Sequence, residues 1–111
     1  MPFEVRYYLT DGGRDVFLEW ISGIRDVRTK AAISRCVNRL RTGHFGDHAF
    51  CRDGVWELRI DRGPGYRVYY ARMGRDAILV LGGGDKRSQS ADITAAIASW
   101  RHEKRRLNDA E

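Results

Sequence analysis

Three basic residues and a tyrosine have types and spacing that suit phosphate chemistry. In the run VWELRIDRGPGYRVYY, which covers residues 55–70, Arg59, Arg67 and Tyr69 alternate with apolar residues, and Lys86 follows the next apolar run. Arginine presents a planar fork of donors that matches a phosphate group. Fixed cations also stabilise the charge that develops on phosphoryl oxygens during a reaction. These four side chains therefore indicate a phosphate site.

Cleavage of an RNA phosphodiester by its neighbouring 2′-hydroxyl is one reaction that such residues could promote without a metal. It needs cationic donors at the phosphoryl oxygens, a base for the hydroxyl and an acid for the leaving oxygen. A structural role fits the same residue types equally well, because Arg59 or Arg67 can pair across strands with Glu57 or Asp85. The residue types alone leave both interpretations open.

A β-hairpin is the element that must position the two arginines. Apolar and charged residues alternate over 55–61 and again over 66–70, which predicts two strands that each have one apolar face. Between them, Gly63-Pro64-Gly65 predicts a type II turn, because Pro fixes φ at the first central position and Gly tolerates a positive φ at the second. We expect the arginines and the tyrosine to share the open face of the sheet.

The remaining elements are predicted from hydrophobic periodicity and from capping residues. They are a strand over 3–9, a helix from Arg14 to Gly23 capped by Thr10 or Asp11, a helix from Asp26 to Arg41, a loop over 44–54 with a short strand at Ala49 to Arg52, a buried strand over 77–81 that is broken by Gly82 to Lys86, and a last helix capped by Ser88 or Ser90. The order predicts an α+β fold: a twisted, mainly antiparallel sheet with two N-terminal helices and a C-terminal helix, packed on one face.

Length and composition predict a single domain over residues 1–111. The longest apolar run, over 77–81, is too short to span a bilayer, and no leader is evident, so we expect a cytoplasmic protein without membrane association. Two cysteines do not make a disulfide framework. The formal net charge of +5 is compatible with nucleic acid or an acidic protein partner.

Several familiar site motifs do not fit the sequence. The run Gly82 to Lys86 lacks the spacing of a phosphate-binding P-loop. His44, Asp47, His48 and Cys51 supply metal-binding atoms, but their spacing matches no closed zinc site. We therefore expect a polar loop there, with no metal and no cofactor.

Three blocks of sequence carry a resemblance to a known superfamily. They are GVWELRI over 54–60, GPGYRVY over 63–69, and LGGGDK over 81–86 followed by Gln89, Asp92 and Ile93. Phe17-x-x-Trp20 and Gly43-x-x-Gly46-Asp47 accompany them in the first half. In this order they resemble the RelE/ParE superfamily of toxins from type II toxin–antitoxin systems, and most closely its HigB-like "addiction module killer" branch. The resemblance spans nearly the whole chain.

The resemblance implies a small RelE-like toxin that a cognate antitoxin neutralises in a hetero-oligomer. It implies a ribosome-dependent mRNA endonuclease, or mRNA interferase, which needs no metal. By motif position, Arg67 matches the catalytic arginine after Gly-Tyr, Arg59 matches the arginine of the Lys-Leu-Arg strand, and Lys86 lies near a later catalytic arginine. A DNA gyrase inhibitor of the ParE kind is the alternative, and a member that only binds its antitoxin is a third possibility.

The sequence departs from the superfamily pattern at the proton-transfer groups. Glu57 replaces the lysine of the Lys-Leu-Arg strand, and Ala49 stands where the branch carries a lysine, with His48 or Arg52 as substitutes. The general base is left open among His48, Tyr69 and Asp92, and His48 is favoured because its ordinary pKa lies nearest neutrality. RNA-binding roles are expected for three further arginines: Arg52, Arg62 and Arg87.

Overall fold

The computed structural model describes residues 2–110. Its strands are β1 (Glu4–Tyr7), β2 (His48–Arg52), β3 (Val55–Ile60), β4 (Tyr66–Met73) and β5 (Ala77–Asp85). Its α-helices are α1 (Val16–Ser22), α2 (Val27–Arg39) and α3 (Gln89–Asp109), and 3₁₀ turns follow α2 and precede α3. The predicted α+β class is confirmed. None of the helices described is long and apolar enough to cross a membrane.

The five strands form one mixed sheet in the order β1-β5-β4-β3-β2. Strands β2 to β5 pair antiparallel with their neighbours, as an uninterrupted run of strands predicts, whereas β1 pairs parallel with β5. Both N-terminal helices and strands β2 to β4 separate β1 from β5 in the chain, so no tight hairpin joins the two strands and parallel pairing is possible. The short strand predicted at Ala49 to Arg52, within the loop before the hairpin, is confirmed as β2, which forms an edge of the sheet.

Helices cover both faces of the sheet, so the prediction that they pack on one face was wrong. The first core contains Phe17 and Ile21 of α1 and Ile33 and Val37 of α2, packed with Leu58 and other residues from alternate strand positions. The second core contains the α3 residues Ala96, Ile97 and Trp100, with Tyr69, Leu79 and Leu81 of the sheet. Helix α3 therefore buries the sheet face that the alternation pattern left open.

The N-terminal ends of the first two helices are set by aspartate caps. Asp15, rather than Thr10 or Asp11, is the N-cap of α1, and its carboxylate accepts a hydrogen bond from the Leu18 amide. Asp26 caps α2 through the Arg28 amide. Each carboxylate satisfies an amide that has no partner within its helix.

The glycine run 82–84 lies inside β5 instead of ending it. A Cβ atom at Gly83 would overlap the Trp20 ring, and one at Gly84 would overlap the Asp92 carboxylate. Glycine is needed at both positions because helices from opposite faces approach the strand closely. The extended strand carries the chain to Asp85 and so places Lys86 beside the hairpin turn.

The hairpin turn lies one residue earlier than predicted. The Gly65 amide donates to the Arg62 carbonyl over 2.9 Å, so Gly63 and Pro64 are the central residues of this hydrogen-bonded turn. Gly63 has φ of 51° and Gly65 has φ of 83°, values that favour glycine.

Candidate functional site

A cleft of about 320 Å³ lies beside the β3–β4 turn. It is lined by residues of β3, β4, the turn and the segments on either side: Asp47, Arg59, Asp61, Gly63, Pro64, Gly65, Arg67 and Lys86. The three cations predicted from the sequence therefore come together on one concave surface.

The two arginines are direct cross-strand neighbours. Arg59 of β3 is in register with Arg67 of β4, and like charges in that position repel each other. The side chain of Arg67 is 13% exposed and that of Arg59 is 41% exposed. The Arg67 Nε atom is buried and has no hydrogen-bond partner among the residues described.

Glu57 is the buried acid that accompanies both arginines. Its Oε2 atom accepts a 2.6 Å hydrogen bond from Arg59 Nε and lies 3.6 Å from Arg67 Nε. Its Oε1 atom accepts a 2.7 Å bond from Gln89 Nε2 of α3 and lies 3.5 Å from Cys51 Sγ. Burial acts to raise the pKa of Glu57, but hydrogen bonds from Arg59, Gln89 and Cys51 outweigh it and the pKa is lowered.

Lys86 reaches the cleft from the end of β5. Its backbone amide donates to the Gly65 carbonyl over 2.8 Å, which ties the start of the 3₁₀ turn to the hairpin. Asp85 caps that turn by accepting from the Arg87 and Ser88 amides. Within residues 2–110 the exposed Lys86 ammonium forms no ion pair.

The charges around the cleft are balanced. The three basic side chains face the carboxylates of Asp47 and Asp61, which line the cleft, and the buried carboxylate of Glu57 beneath it. Asp47 Oδ1 lies 3.8 Å from Arg59 Nη1. Arg59 is therefore paired with two carboxylates, whereas no carboxylate pairs with Lys86 among the residues described.

His48, the favoured candidate for the general base, lies on the other face of the sheet from the arginines and does not line the cleft. It is in register with Leu58, which belongs to the core beneath α1 and α2. Its ring contacts Phe45 and Trp56, and its Nδ1 atom lies 2.9 Å from the Gly46 carbonyl. Asp47 and Ala49, the residues on either side of His48, lie on the same face as Arg59.

Tyr69 and Asp92 also lie outside the cleft. Tyr69 is buried beneath α3 rather than on an open face, and its hydroxyl has no partner among the residues described. Burial, with Asp92 and Glu57 nearby, raises the pKa of Tyr69. Asp92 accepts a 2.5 Å bond from Ser88 Oγ, and with Tyr69 it lines a separate cavity of about 80 Å³. Neither group borders the phosphate cleft.

The arginines predicted to bind RNA lie around the molecule and not in the cleft lining. Arg52 Nη1 lies 3.2 Å from Asp53 at the end of β2, and Arg62 donates to Thr29 Oγ1 of α2. Arg87 lies 3.0 Å from Asp85. Their contact with RNA stays a prediction.

The loop that could have supplied metal ligands does not gather them. His44 Nδ1 lies 2.8 Å from Thr42 Oγ1, His48 packs on aromatic rings, and Cys51 faces Glu57. Across residues 2–110, no group of three or more His, Cys, Asp or Glu side chains could hold a metal ion.

Comparison with known proteins identifies the family. The model of the family described as "Phage derived protein Gp49-like (DUF891)" matches residues 19–101, which is most of the chain. The chain belongs to the Gp49-like family. This family is RelE-like and toxin-like and is found in toxin–antitoxin systems. An uncharacterized protein of Haemophilus influenzae is 44% identical over 80 residues, which cover 72% of this chain and 81% of that protein.

The matched region of this Gp49-like protein includes every residue that lines the cleft, together with Glu57 and Gln89. Asp47, Asp61 and Gln89 were not predicted as site residues, although Asp47 was considered as a metal ligand and both Asp47 and Gln89 belong to the motifs that carry the resemblance. Strand alternation places 57, 59 and 61 on one face, so the pattern itself contained the signal for Asp61. The position of Asp47 depends on the turn before β2, for which the sequence has no comparable signal.

Proposed function

We propose that this Gp49-like protein is the toxin of a type II toxin–antitoxin module and cuts mRNA on the ribosome without a metal. One observation carries the proposal: Arg59, Arg67 and Lys86 converge on a single cleft. Such a cluster can hold one phosphodiester by its two non-bridging oxygens and stabilise the added charge of the transition state. The resemblance of the sequence to the HigB-like branch supports the same function.

The reaction is transesterification within the RNA strand. The 2′-oxygen attacks phosphorus, the bond to the 5′-oxygen breaks, and the products are a 2′,3′-cyclic phosphate and a 5′-hydroxyl. Asp61 lines the cleft and forms no ion pair in the part of the chain described, so it is the carboxylate available to accept the 2′-hydroxyl proton. The Lys86 ammonium is the group available to donate a proton to the leaving oxygen.

An antitoxin is the partner that this function requires. The formal net charge of +5 favours association with an acidic protein segment. We propose that such a segment neutralises the toxin in a cytoplasmic hetero-oligomer. Co-purification with the product of the adjacent reading frame tests this, and failure to form a stable complex would contradict it.

Inhibition of DNA gyrase without RNA cleavage is the second candidate. One observation favours it: the carboxylates of Glu57, Asp47 and Asp61 equal the three cations in number, and all three bases predicted from the sequence, His48, Tyr69 and Asp92, lie outside the cleft. A charge-balanced cleft suits protein binding as well as phosphate binding.

Inducible expression in bacteria separates these functions. Cells that express the wild type should stop growing, and primer extension on a reporter mRNA should show cuts at defined codon positions. Arg67→Ala should abolish the cuts. Arg75→Ala is the matched control, because it removes an equal charge from the turn at the far end of β4.

Growth arrest with intact mRNA and impaired supercoiling would contradict the nuclease and favour the gyrase inhibitor. A folded, abundant product that leaves growth unchanged would contradict both functions and favour a member that only binds its antitoxin.

A further inference from the structure

Glu57 does not line the phosphate cleft, yet it contacts both arginines that do. We propose that Glu57 is a positioning residue: it turns the two guanidinium groups so that their Nη ends face one phosphodiester. The inference rests on the proposed function, because it assigns the cleft a phosphate ligand. Glu57 is 2% exposed, so it acts through Arg59 and Arg67 and not on the RNA.

The contact atoms support this role. Arg59 Nε donates a 2.6 Å hydrogen bond to Glu57 Oε2, and Arg67 Nε lies 3.6 Å from the same oxygen, which is within ion-pair distance but too far for a hydrogen bond. Arg59 is thus held at Nε, and Arg67, whose Nη1 donates to the Tyr66 carbonyl over 3.3 Å, lies beside the same carboxylate. Each guanidinium therefore keeps at least one Nη group for contact with phosphate. Because the two arginines are directly opposed in the register, a carboxylate between them also offsets their mutual repulsion.

Glu57 is itself fixed by other elements. Gln89, the first residue of α3, donates to Oε1 over 2.7 Å, and Cys51 of β2 lies on the same oxygen. The acid that orients the arginines is thus held between an edge strand and the start of a helix. Glu57 stands where the superfamily pattern has a lysine. In this arrangement the glutamate orients the two arginines, whereas a lysine would add a further positive charge.

Two acid-to-amide substitutions give opposite expectations for ligand binding. Glu57→Gln and Asp61→Asn each raise the net charge by one near the cleft, but only Glu57 contacts the arginines within the residues described. If charge alone mattered, both variants would bind an anion more tightly. Positioning by Glu57 predicts that Glu57→Gln binds about tenfold more weakly, whereas Asp61→Asn binds equally or more tightly.

The probe is a short 2′-O-methyl RNA, which cannot be cleaved at its modified nucleotides, titrated with each folded variant. Gln89→Ala is the second variant: it keeps all charges but frees Glu57, so it should weaken binding by roughly threefold. Binding by Glu57→Gln that equals or exceeds that of Asp61→Asn would overturn the positioning role. If the wild type binds no RNA, the proposed function fails instead.

A ligand-free measurement tests positioning independently of that function. In proton–nitrogen spectra of the wild type, the Arg59 Nε–H signal should be resolved and slow to exchange, because it donates to a buried carboxylate. In Glu57→Gln it should exchange as fast as the signal of Arg75, which is 92% exposed. An unchanged Arg59 signal in the variant would overturn the proposal even if RNA binding fell.

Discussion

The close approach of Trp20 to Gly83 makes a quantitative prediction about how α1 is seated on β5. A Cβ atom at Gly83 would overlap the six-membered part of the Trp20 ring. Overpacking of this kind costs roughly 1–3 kcal/mol, and the higher strand propensity of alanine offsets a fraction of that cost. We therefore expect Gly83→Ala to lower the free energy of unfolding by about 2 kcal/mol. An unfolding entropy of about 2.1 cal/mol/K per residue converts this into a fall in Tm of roughly 9 °C.

The assay is thermal and urea unfolding of four variants that form a double-mutant cycle. Gly83→Ala should be destabilising in the wild type but close to neutral in a Trp20→Ala background, where the ring is absent. Gly12→Ala is the control, because the nearest atom to its Cβ would be Thr10 Oγ1 at 3.9 Å. Equal losses in both backgrounds, or a stable Gly83→Ala variant, would refute the argument that the glycine run exists to admit Trp20.

Three other contacts give shorter predictions. The wild type should be more stable than Glu57→Gln near neutral pH, and this difference should shrink as the pH falls below about 4.3. The reason is that a lowered pKa of Glu57 stabilises the folded state only while the carboxylate is charged. Urea unfolding across pH 3–7 measures the difference. Burial and then Glu57 raise the pKa of Cys51 to about 11, so iodoacetamide should label Cys51 slowly at pH 8 and faster in Glu57→Gln, as followed by mass spectrometry. His102→Ala should cost about 1–2 kcal/mol in urea unfolding, because it removes a 2.7 Å bond to buried Tyr8 and the 3.2 Å contact with Asp11.

Local pattern in the sequence predicted the hairpin and its neighbours well. Period-two alternation identified β3 and β4, and the apolar run 77–81 was correctly expected to be buried on both faces. Alternation did not predict that a helix would pack on the second face of the sheet. Helix α3 follows the sheet in sequence, and nothing local distinguishes packing on one face from packing on the other. Tyr69 was misplaced for this reason.

The cations of the site were easier to predict than their acidic partners. Arg59 and Arg67 follow from strand alternation, and Lys86 follows from the end of the next strand. His48 was favoured as the general base because the ordinary pKa of histidine lies nearest neutrality, but the register with Leu58 assigns it to the opposite face. A shift of one residue in register reverses the face of every side chain, and the sequence of β2 does not determine that register.

Cleavage of mRNA in a defined ribosome complex would show whether this protein is a ribosome-dependent nuclease that uses the cleft. Purified protein would be added to ribosomes stalled on a 5′-labelled mRNA, with a second mRNA that carries 2′-deoxy sugars at the stalled codon. A ribosome-dependent nuclease of this kind should make a single cut in the first mRNA and none in the second, and cleavage should be lost in Lys86→Ala but not in Arg75→Ala. Equal cleavage of both mRNAs, full activity of Lys86→Ala, or no cleavage by the wild type would contradict this function.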